Sequence, residues 1–145
     1  SLKNSVGMVA KRNLIDDHDF MRELHSSPHQ RRMIAEINTA YAPDLVVMDG
    51  VECFVDGGPA NGRKALSEVV MAGTDRVALD AVGVALLRFH GCTTEVARGK
   101  IFQQDQIKRA VQLGLGVDKP GKIEFITADA ESAAYAAQIQ EVLMA

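Results

Sequence analysis

The chain has 145 residues, the usual size of one domain, and is long enough to bury a hydrophobic core of its own. Its formal charge of -3 and its lack of Trp argue against a nucleic-acid partner. The apolar run 77–87 is interrupted by Asp80 and is too short to cross a bilayer, so no membrane span is expected. Two cysteines, Cys53 and Cys92, are too few for a disulfide framework or for the four thiolates of a common iron–sulfur cluster.

The first residues contain neither an initiating Met nor the apolar segment of a signal peptide. We therefore interpret the chain as a fragment of a longer protein. A cytoplasmic location is the expectation for that protein in the absence of a targeting segment.

Apolar runs and helix-start signals divide the first third of the chain into two strands and two helices. Residues 6–10 are predicted as a strand and residues 20–24 as a short helix. A helix over 27–41 begins with the capping-box sequence Ser27-Pro28-His29-Gln30. The uninterrupted apolar run 45–48 is typical of a strand buried on both faces. These elements predict a right-handed β-α-β unit with parallel strands.

The rest of the chain continues the alternation of strands and helices. The predicted elements are a strand over 67–72, helices over 75–89, 94–98 and 104–113, a strand over 123–127 and a helix over 130–144. Thr74 and Asp129 are expected to cap the first and last of these helices. The pattern predicts a single α/β domain whose mostly parallel or mixed sheet is covered by helices on both faces.

A glycine-rich loop follows the predicted strand 45–48. Asp49 falls at the carboxyl end of that strand, where ligands collect in open α/β sheets. The loop 56–62 can take positive φ at several positions, which lets main-chain N–H groups converge on an anion. The alternative is a plain turn between strands. Arg63 and Lys64 stand where a phosphate-binding P-loop needs Lys followed by Ser or Thr, so the loop is not a P-loop.

The predicted helix 75–89 is apolar nearly all round and should be largely buried. A buried carboxylate is costly unless it is paired, and Arg76 is the local partner available to Asp80 one turn later. A structural pair between these residues and a functional role for Asp75 or Asp80 are both open.

Two groups of possible metal ligands are weaker signals. The acidic segment 16–19 has the composition of a metal-binding cluster but no ligand spacing, which favours a solvated loop. His25 and His29 are four residues apart, but Pro28 makes one continuous helix across both unfavourable, so they do not form a zinc pair.

Several short segments together resemble domain-of-unknown-function family 362. They are Lys3-Asn4 with Val6-Gly7, His25 ahead of a helix, residues 47–50, Gly57-Gly58-Pro59 with Gly62, residues 74–83, and Gly114-Leu115-Gly116. The resemblance spans nearly the whole chain and is to the carboxyl-terminal portion of the family's domain. Many members also carry a ferredoxin-like cysteine-rich segment, so the resemblance implies an iron–sulfur module elsewhere in the parent protein and none in this fragment.

These patterns predict one ligand site. Its predicted catalytic residues are Asp49, His25 and Lys3, and its predicted ligand-holding residues are Gly57, Gly58, Gly62, Asp75 and Asp80. We expect Asp49, His25, the Gly57-Gly58 pair and Gly62 to lie around one cleft at the carboxyl end of the parallel strands, with Lys3 nearby.

Three functional classes are open. The preferred one is a domain that binds a small anionic ligand, a cofactor or a divalent cation and works beside an iron–sulfur electron-transfer module. The second is a non-catalytic scaffold for that module. The third is a metal-dependent hydrolase or transferase with Asp49, Asp75 and His25 as ligands. The expected partners are the rest of the parent chain, a ferredoxin-like module and a small molecule.

Overall fold

The computed structural model describes residues 1–58 and 61–145, so Pro59 of the predicted ligand loop lies outside the described residues. The described elements are, in chain order, a 3₁₀ helix (Leu2–Met8), α1 (Phe20–Ser26), α2 (Gln30–Ile37), a 3₁₀ turn (Asn38–Ala40), β1 (Val46–Phe54), β2 (Lys64–Gly73), α3 (Arg76–Phe89), α4 (Thr94–Ala97), a 3₁₀ turn (Ile101–Gln103), α5 (Asp105–Gln112), a 3₁₀ turn (Pro120–Lys122) and α6 (Ala130–Met144). The fold is therefore mixed α/β. Within the described ranges, no helix combines the length and the apolar character that a membrane crossing requires.

The sheet consists of β1 and β2, which pair antiparallel as a hairpin. Val46 lies opposite Gly73 and Phe54 opposite Lys64, with a register shift after Gly50. A mostly parallel or mixed sheet is therefore not confirmed. The segment 45–48 is also not buried on both faces, because the side chain of Val47 is 62% exposed.

Two predicted strands are absent from the part of the chain that the structure describes. Residues 2–8 form the amino-terminal 3₁₀ helix, whose Leu2 and Val6 are buried in the core, and the predicted β-α-β unit is consequently wrong. Residues 123–127 carry no strand pairing, although Ile123 and Phe125 pack against the core. These two apolar side chains are partly buried by that contact, although the main chain of the segment forms no strand ladder.

The helix α2 starts later than the capping box predicts. Its amino-terminal cap is His29, and the Ser27 hydroxyl accepts a hydrogen bond from the main-chain N–H of His29 at 3.1 Å instead. The predicted helix 27–41 is divided into α2 and the 3₁₀ turn Asn38–Ala40.

The helix α3 is the centre of the core, as its apolar sequence predicts. Val77, Ala81 and Ala85 have no exposed surface, and α3 contacts both strands and α5 and α6. The hairpin lies close to this helix because two glycines face the contact. A Cβ atom on Gly83 would lie 3.1 Å from the Met48 sulfur, and one on Gly50 would lie 3.4 Å from a Leu86 methyl carbon.

A fully buried amide joins α2 to the amino-terminal 3₁₀ helix. The Nδ2 atom of Asn38 lies 2.9 Å from the carbonyl oxygen of Leu2 and 2.7 Å from the hydroxyl of Ser5. It also lies 2.7 Å from the carbonyl oxygen of Ile34, one turn back in α2. Since Asn38 is fully buried, these acceptors are what makes its burial tolerable.

The guanidinium of Arg76 completes this network from α3. It donates through Nη1 to the carbonyl oxygen of Asn38 at 2.7 Å and through Nη2 to that of Tyr41 at 2.8 Å, and it lies over the Tyr41 ring. A cation is favourable at this place because carbonyl groups at the carboxyl end of a helix carry partial negative charge. The alternative of a structural pair between Arg76 and Asp80 is not observed, because no ion pair joins these two side chains among the described residues.

Replacing the buried guanidinium should destabilise the fold. We expect Arg76→Met to lower the free energy of unfolding by about 2–4 kcal/mol, because the carbonyl groups of Asn38 and Tyr41 lose a charged donor. The control is Arg31→Met on the exposed surface of α2, with an expected change within about 0.5 kcal/mol. Urea unfolding followed by circular dichroism measures both, and equal losses would contradict the assigned role.

Candidate functional site

The glycine-rich turn of the hairpin is closed by its own main chain. The N–H of Gly58 donates to the carbonyl oxygen of Asn61 at 2.6 Å. Gly57 and Gly58 both have a φ of +69°, which favours glycine. A Cβ atom on Gly57 would lie 2.5 Å from the Asn61 oxygen, and one on Gly62 would lie 2.0 Å from the Asp56 oxygen. Turn closure alone therefore requires these glycines.

The three predicted catalytic residues are all exposed. Asp49 lies within β1 rather than after it, and its Oδ1 accepts a hydrogen bond from the N–H of Val51 at 3.0 Å. His25 lies on α1 with its Nδ1 atom 2.6 Å from the Met21 carbonyl oxygen, and Lys3 lies on the amino-terminal 3₁₀ helix. In residues 1–58 and 61–145 no hydrogen bond or ion pair joins these three side chains. Their shared cleft stays a prediction.

Asp75 caps α3 and ties a distant loop to it. Its Oδ1 accepts hydrogen bonds from the N–H groups of Val77 and Ala78, both at 2.8 Å. Its Oδ2 accepts one from the N–H of Val117 at 2.7 Å. The cap of α3 is thus Asp75 and not Thr74 as predicted, and its carboxylate already has three donors.

The close approach of that loop explains the Gly114-Leu115-Gly116 segment. A Cβ atom on Gly116 would lie 2.1 Å from Oδ1 of Asp75, so a side chain there would push the loop away. Gly114 has a φ of +71° just after the end of α5.

Asp80 is the second carboxylate on α3, with a side chain that is 10% exposed. The amino group of Ser1 lies against its Oδ1, and the N–H of Leu2 lies 3.2 Å from both carboxylate oxygens. The amide of Gln106 donates to Oδ2 at 3.3 Å. Asp80 therefore holds the first residues of the chain and α5 against α3.

A metal site receives no support from these side chains. Among the described residues, no group of three or more His, Cys, Asp or Glu side chains is arranged to hold a metal ion. Asp75 and Asp80 are committed to main-chain and amide donors, as described above.

The helices α2 and α5 pack against each other and leave a polar groove of about 360 Å³. It is lined by Arg32, Glu36, Asp105, Lys108, Arg109 and Gln112. Arg109 crosses between the helices, with Nε 2.9 Å and Nη2 2.7 Å from Oε1 of Glu36. The Arg109–Glu36 ion pair has no net charge. Arg32 and Lys108 also line the groove, and neither forms an ion pair among the described residues.

Sequence reasoning missed this groove because its two halves are about seventy residues apart. The one signal that could have found it is the spacing of Asp105, Lys108, Arg109 and Gln112, which places four polar side chains on one face of a helix. Nothing in the sequence says which other helix that face meets.

A larger depression of about 490 Å³ lies beside α1, and two of its three basic side chains have acidic partners. Arg12 lies 2.7 Å from Asp17, and Nε2 of His18 lies 2.8 Å from Glu23. The hydrogen bond that the His18 ring donates to the Glu23 carboxylate raises the pKa of His18 above its usual value. Arg22 is left as the one basic side chain of this depression without an ion pair among the described residues, against two in the α2–α5 groove, so the depression is the weaker candidate for holding an anion.

A polar cluster near the carboxyl end of α3 was also invisible in the sequence. Nε2 of His90 lies 2.8 Å from the hydroxyl of Tyr135, and the sulfur of Cys53 lies 3.2 Å from the hydroxyl of Ser67. Burial raises the pKa of Tyr135, and the charge of the Cys53 thiolate raises it further. The phenol is therefore neutral at physiological pH, and its hydrogen bond holds α6 against α3.

A family model described as Domain of unknown function (DUF362) matches residues 1–85, which is more than half of the chain. The chain belongs to the DUF362 family. Comparisons with curated proteins and with solved structures gave no match. The resemblance visible in the sequence is thus confirmed over the matched residues.

The matched part of this DUF362 domain contributes about half of the elements that build the core. It includes the amino-terminal 3₁₀ helix, α2, the hairpin and the first ten residues of α3. The α5 side of the groove lies beyond residue 85, so the family match covers only the α2 side.

Removing the Asp75 carboxylate should lower the free energy of unfolding more than removing an ordinary helix cap does. We expect Asp75→Ala to lower the free energy of unfolding by about 2–3 kcal/mol, because α3 loses its cap and the partly buried N–H of Val117 loses its acceptor. The matched control is Asp129→Ala, which removes the α6 cap on Ser132 alone and should cost less. Chemical denaturation of both variants tests this, and a cost for Asp129→Ala as large as that for Asp75→Ala would contradict it.

Proposed function

We propose that this DUF362 domain binds a small anionic ligand in the groove between α2 and α5 and works beside an iron–sulfur electron-transfer module in the full-length protein. The observation that carries the first half is the pair of cations, Arg32 and Lys108, that face the groove without a carboxylate partner in the described residues.

The groove has the dimensions and the chemistry that a small anion needs. Its volume of about 360 Å³ falls within the usual range for small-molecule sites. A guanidinium recognises a phosphate or carboxylate with paired donors, and an ammonium adds a point charge. Arg32 and Lys108 supply two positive charges against the single unpaired negative charge of Asp105, so the groove favours an anion.

Both walls of the groove are held in place, which reduces the cost of ordering a site. The Arg76 guanidinium fixes the carboxyl end of α2, and Gln106 on α5 donates to Asp80 on α3. The pair between Arg109 and Glu36 sets the two walls against each other. Sites on braced helices keep their geometry better than sites on loops.

The second half of the proposal concerns the partner. Its support is the family resemblance together with the cysteine content of the chain, since Cys53 and Cys92 alone cannot supply four thiolates. The cluster would be bound by a ferredoxin-like module elsewhere in the parent protein. A purified parent protein that contains no iron after anaerobic reconstitution would contradict this half.

The other ligand classes have less support. A divalent cation or a metal-dependent hydrolysis with Asp49, Asp75 and His25 as ligands needs free carboxylate oxygens, and those of Asp75 accept three main-chain hydrogen bonds.

The groove predicts a matched pair of binding results. Arg32→Gln should weaken inorganic phosphate binding about tenfold, because one charge-assisted contact is lost. Arg31→Gln removes the same charge from the neighbouring residue, which does not line the groove, and should change binding less than twofold. Isothermal titration calorimetry measures both, and equal effects would contradict the groove as the site.

A scaffold role is the second candidate function, and the outer face of the hairpin favours it. This face is apolar and open, with Val47 62%, Val51 46%, Leu66 61% and Val70 67% exposed. Two strands alone rarely make a stable sheet, so such a face is a place for further polypeptide to pack. The acidic residues Asp49 and Glu68 on the hairpin favour a basic segment of the parent chain or its module as the occupant.

Introducing a charged side chain on this face should alter the protein only when the partner that packs on the face is present. Val70→Lys should leave the isolated chain's stability within about 0.5 kcal/mol, because the side chain is solvated there. In the full-length protein it should increase hydrogen exchange of the β1 and β2 amides. The control is Ile126→Lys, since Ile126 is 88% exposed and lies off the sheet. Identical exchange in all three full-length proteins would rule out the docking role.

A further inference from the structure

We propose that the anionic group held in the groove belongs to a small hydroxyl-bearing molecule, such as the phosphate ester of a polyol, and not to a nucleotide or other aromatic compound. This inference rests on the proposed function and names the class of ligand for the same site.

The first observation is the chemistry of the groove lining. All six side chains that line it are charged or carry an amide, and none is aromatic or aliphatic. A nucleobase or another aromatic ring gains its affinity by stacking on aromatic side chains or by burial against apolar ones. The groove offers neither, so the body of its ligand is polar.

The second observation is the order of the polar groups along α5. Asp105, Lys108 and Gln112 are spaced by three and four residues and lie along one side of the helix. With a rise of about 1.5 Å per residue, they extend over about 10 Å. The cation Lys108 thus stands between a carboxylate and an amide, and a molecule larger than phosphate can reach one of these while its anionic group contacts Lys108.

The third observation is the charge of Asp105. This carboxylate lines the groove and has no ion-pair partner in the ranges that the structure describes. It repels a bare dianion and accepts hydrogen bonds from hydroxyl groups. Asp105 therefore disfavours inorganic phosphate and favours a phosphate ester whose hydroxyl groups reach the carboxylate, which makes it a specificity-determining residue.

Calorimetric titration with inorganic phosphate, glycerol 3-phosphate and adenosine monophosphate tests this inference on the unmodified chain. Glycerol 3-phosphate should bind about fivefold more tightly than phosphate, as expected for one additional hydrogen bond. Adenosine monophosphate should bind no more tightly than phosphate.

Two variants identify the side chain responsible. Asp105→Asn should tighten phosphate binding and reduce the preference for glycerol 3-phosphate to less than twofold, because the charge repulsion is lost and an amide oxygen is a weaker hydrogen-bond acceptor than a carboxylate. Asp44→Asn removes the same charge at an exposed position outside the groove and should leave both affinities unchanged. Circular dichroism establishes that both variants fold.

The outcomes separate this inference from the proposed function. Equal affinity for phosphate and its glycerol ester, or tighter binding of adenosine monophosphate, would overturn the ligand class while leaving the anion site in place. If neither phosphate nor either ester binds, the anion site itself is wrong and the inference fails with it.

Discussion

The buried guanidinium of Arg76 is the interaction on which the rest of the structure depends. It comes from the first turn of α3 and satisfies carbonyl groups where α2 ends, while Asn38 at that end also binds the amino-terminal 3₁₀ helix. Three segments distant in sequence are thereby fixed at one point. Because a buried cation needs its acceptors, the position of α2 on α3 has little freedom. The shape of the α2–α5 groove depends on that fixed position of α2.

The sequence predicted the helices well because their signals are local. The helix α6 has its cap at Asp129 as predicted, and the apolar α3 is buried as its composition requires. The strands failed because their signal is ambiguous. Leu2 and Val6 pack into the core from a 3₁₀ helix, and Ile123 and Phe125 pack against it without strand pairing. Short apolar runs indicate burial, and only their tertiary neighbours decide which backbone conformation provides it.

The candidate site shows the same division between local and tertiary information. The sequence pointed to Asp75 and Asp80 as unusual carboxylates, and both are unusual, but their partners are main-chain N–H groups and an amide. Their role in holding loops on α3 follows from contacts with residues up to 79 positions away. The periodicity of α3 does not predict those contacts. The sequence does not predict the groove for the same reason, since the two helices that form it are far apart in the chain.

The anion site that we propose lies in the α2–α5 groove, between Arg32 and Lys108. A crystal structure with low millimolar tungstate tests it most directly, because anomalous scattering locates the bound oxyanion. We expect one strong anomalous peak in the groove, within direct contact distance of both side chains. A strong peak at the glycine turn around Gly57 or in the depression beside α1, with none in the groove, would contradict it.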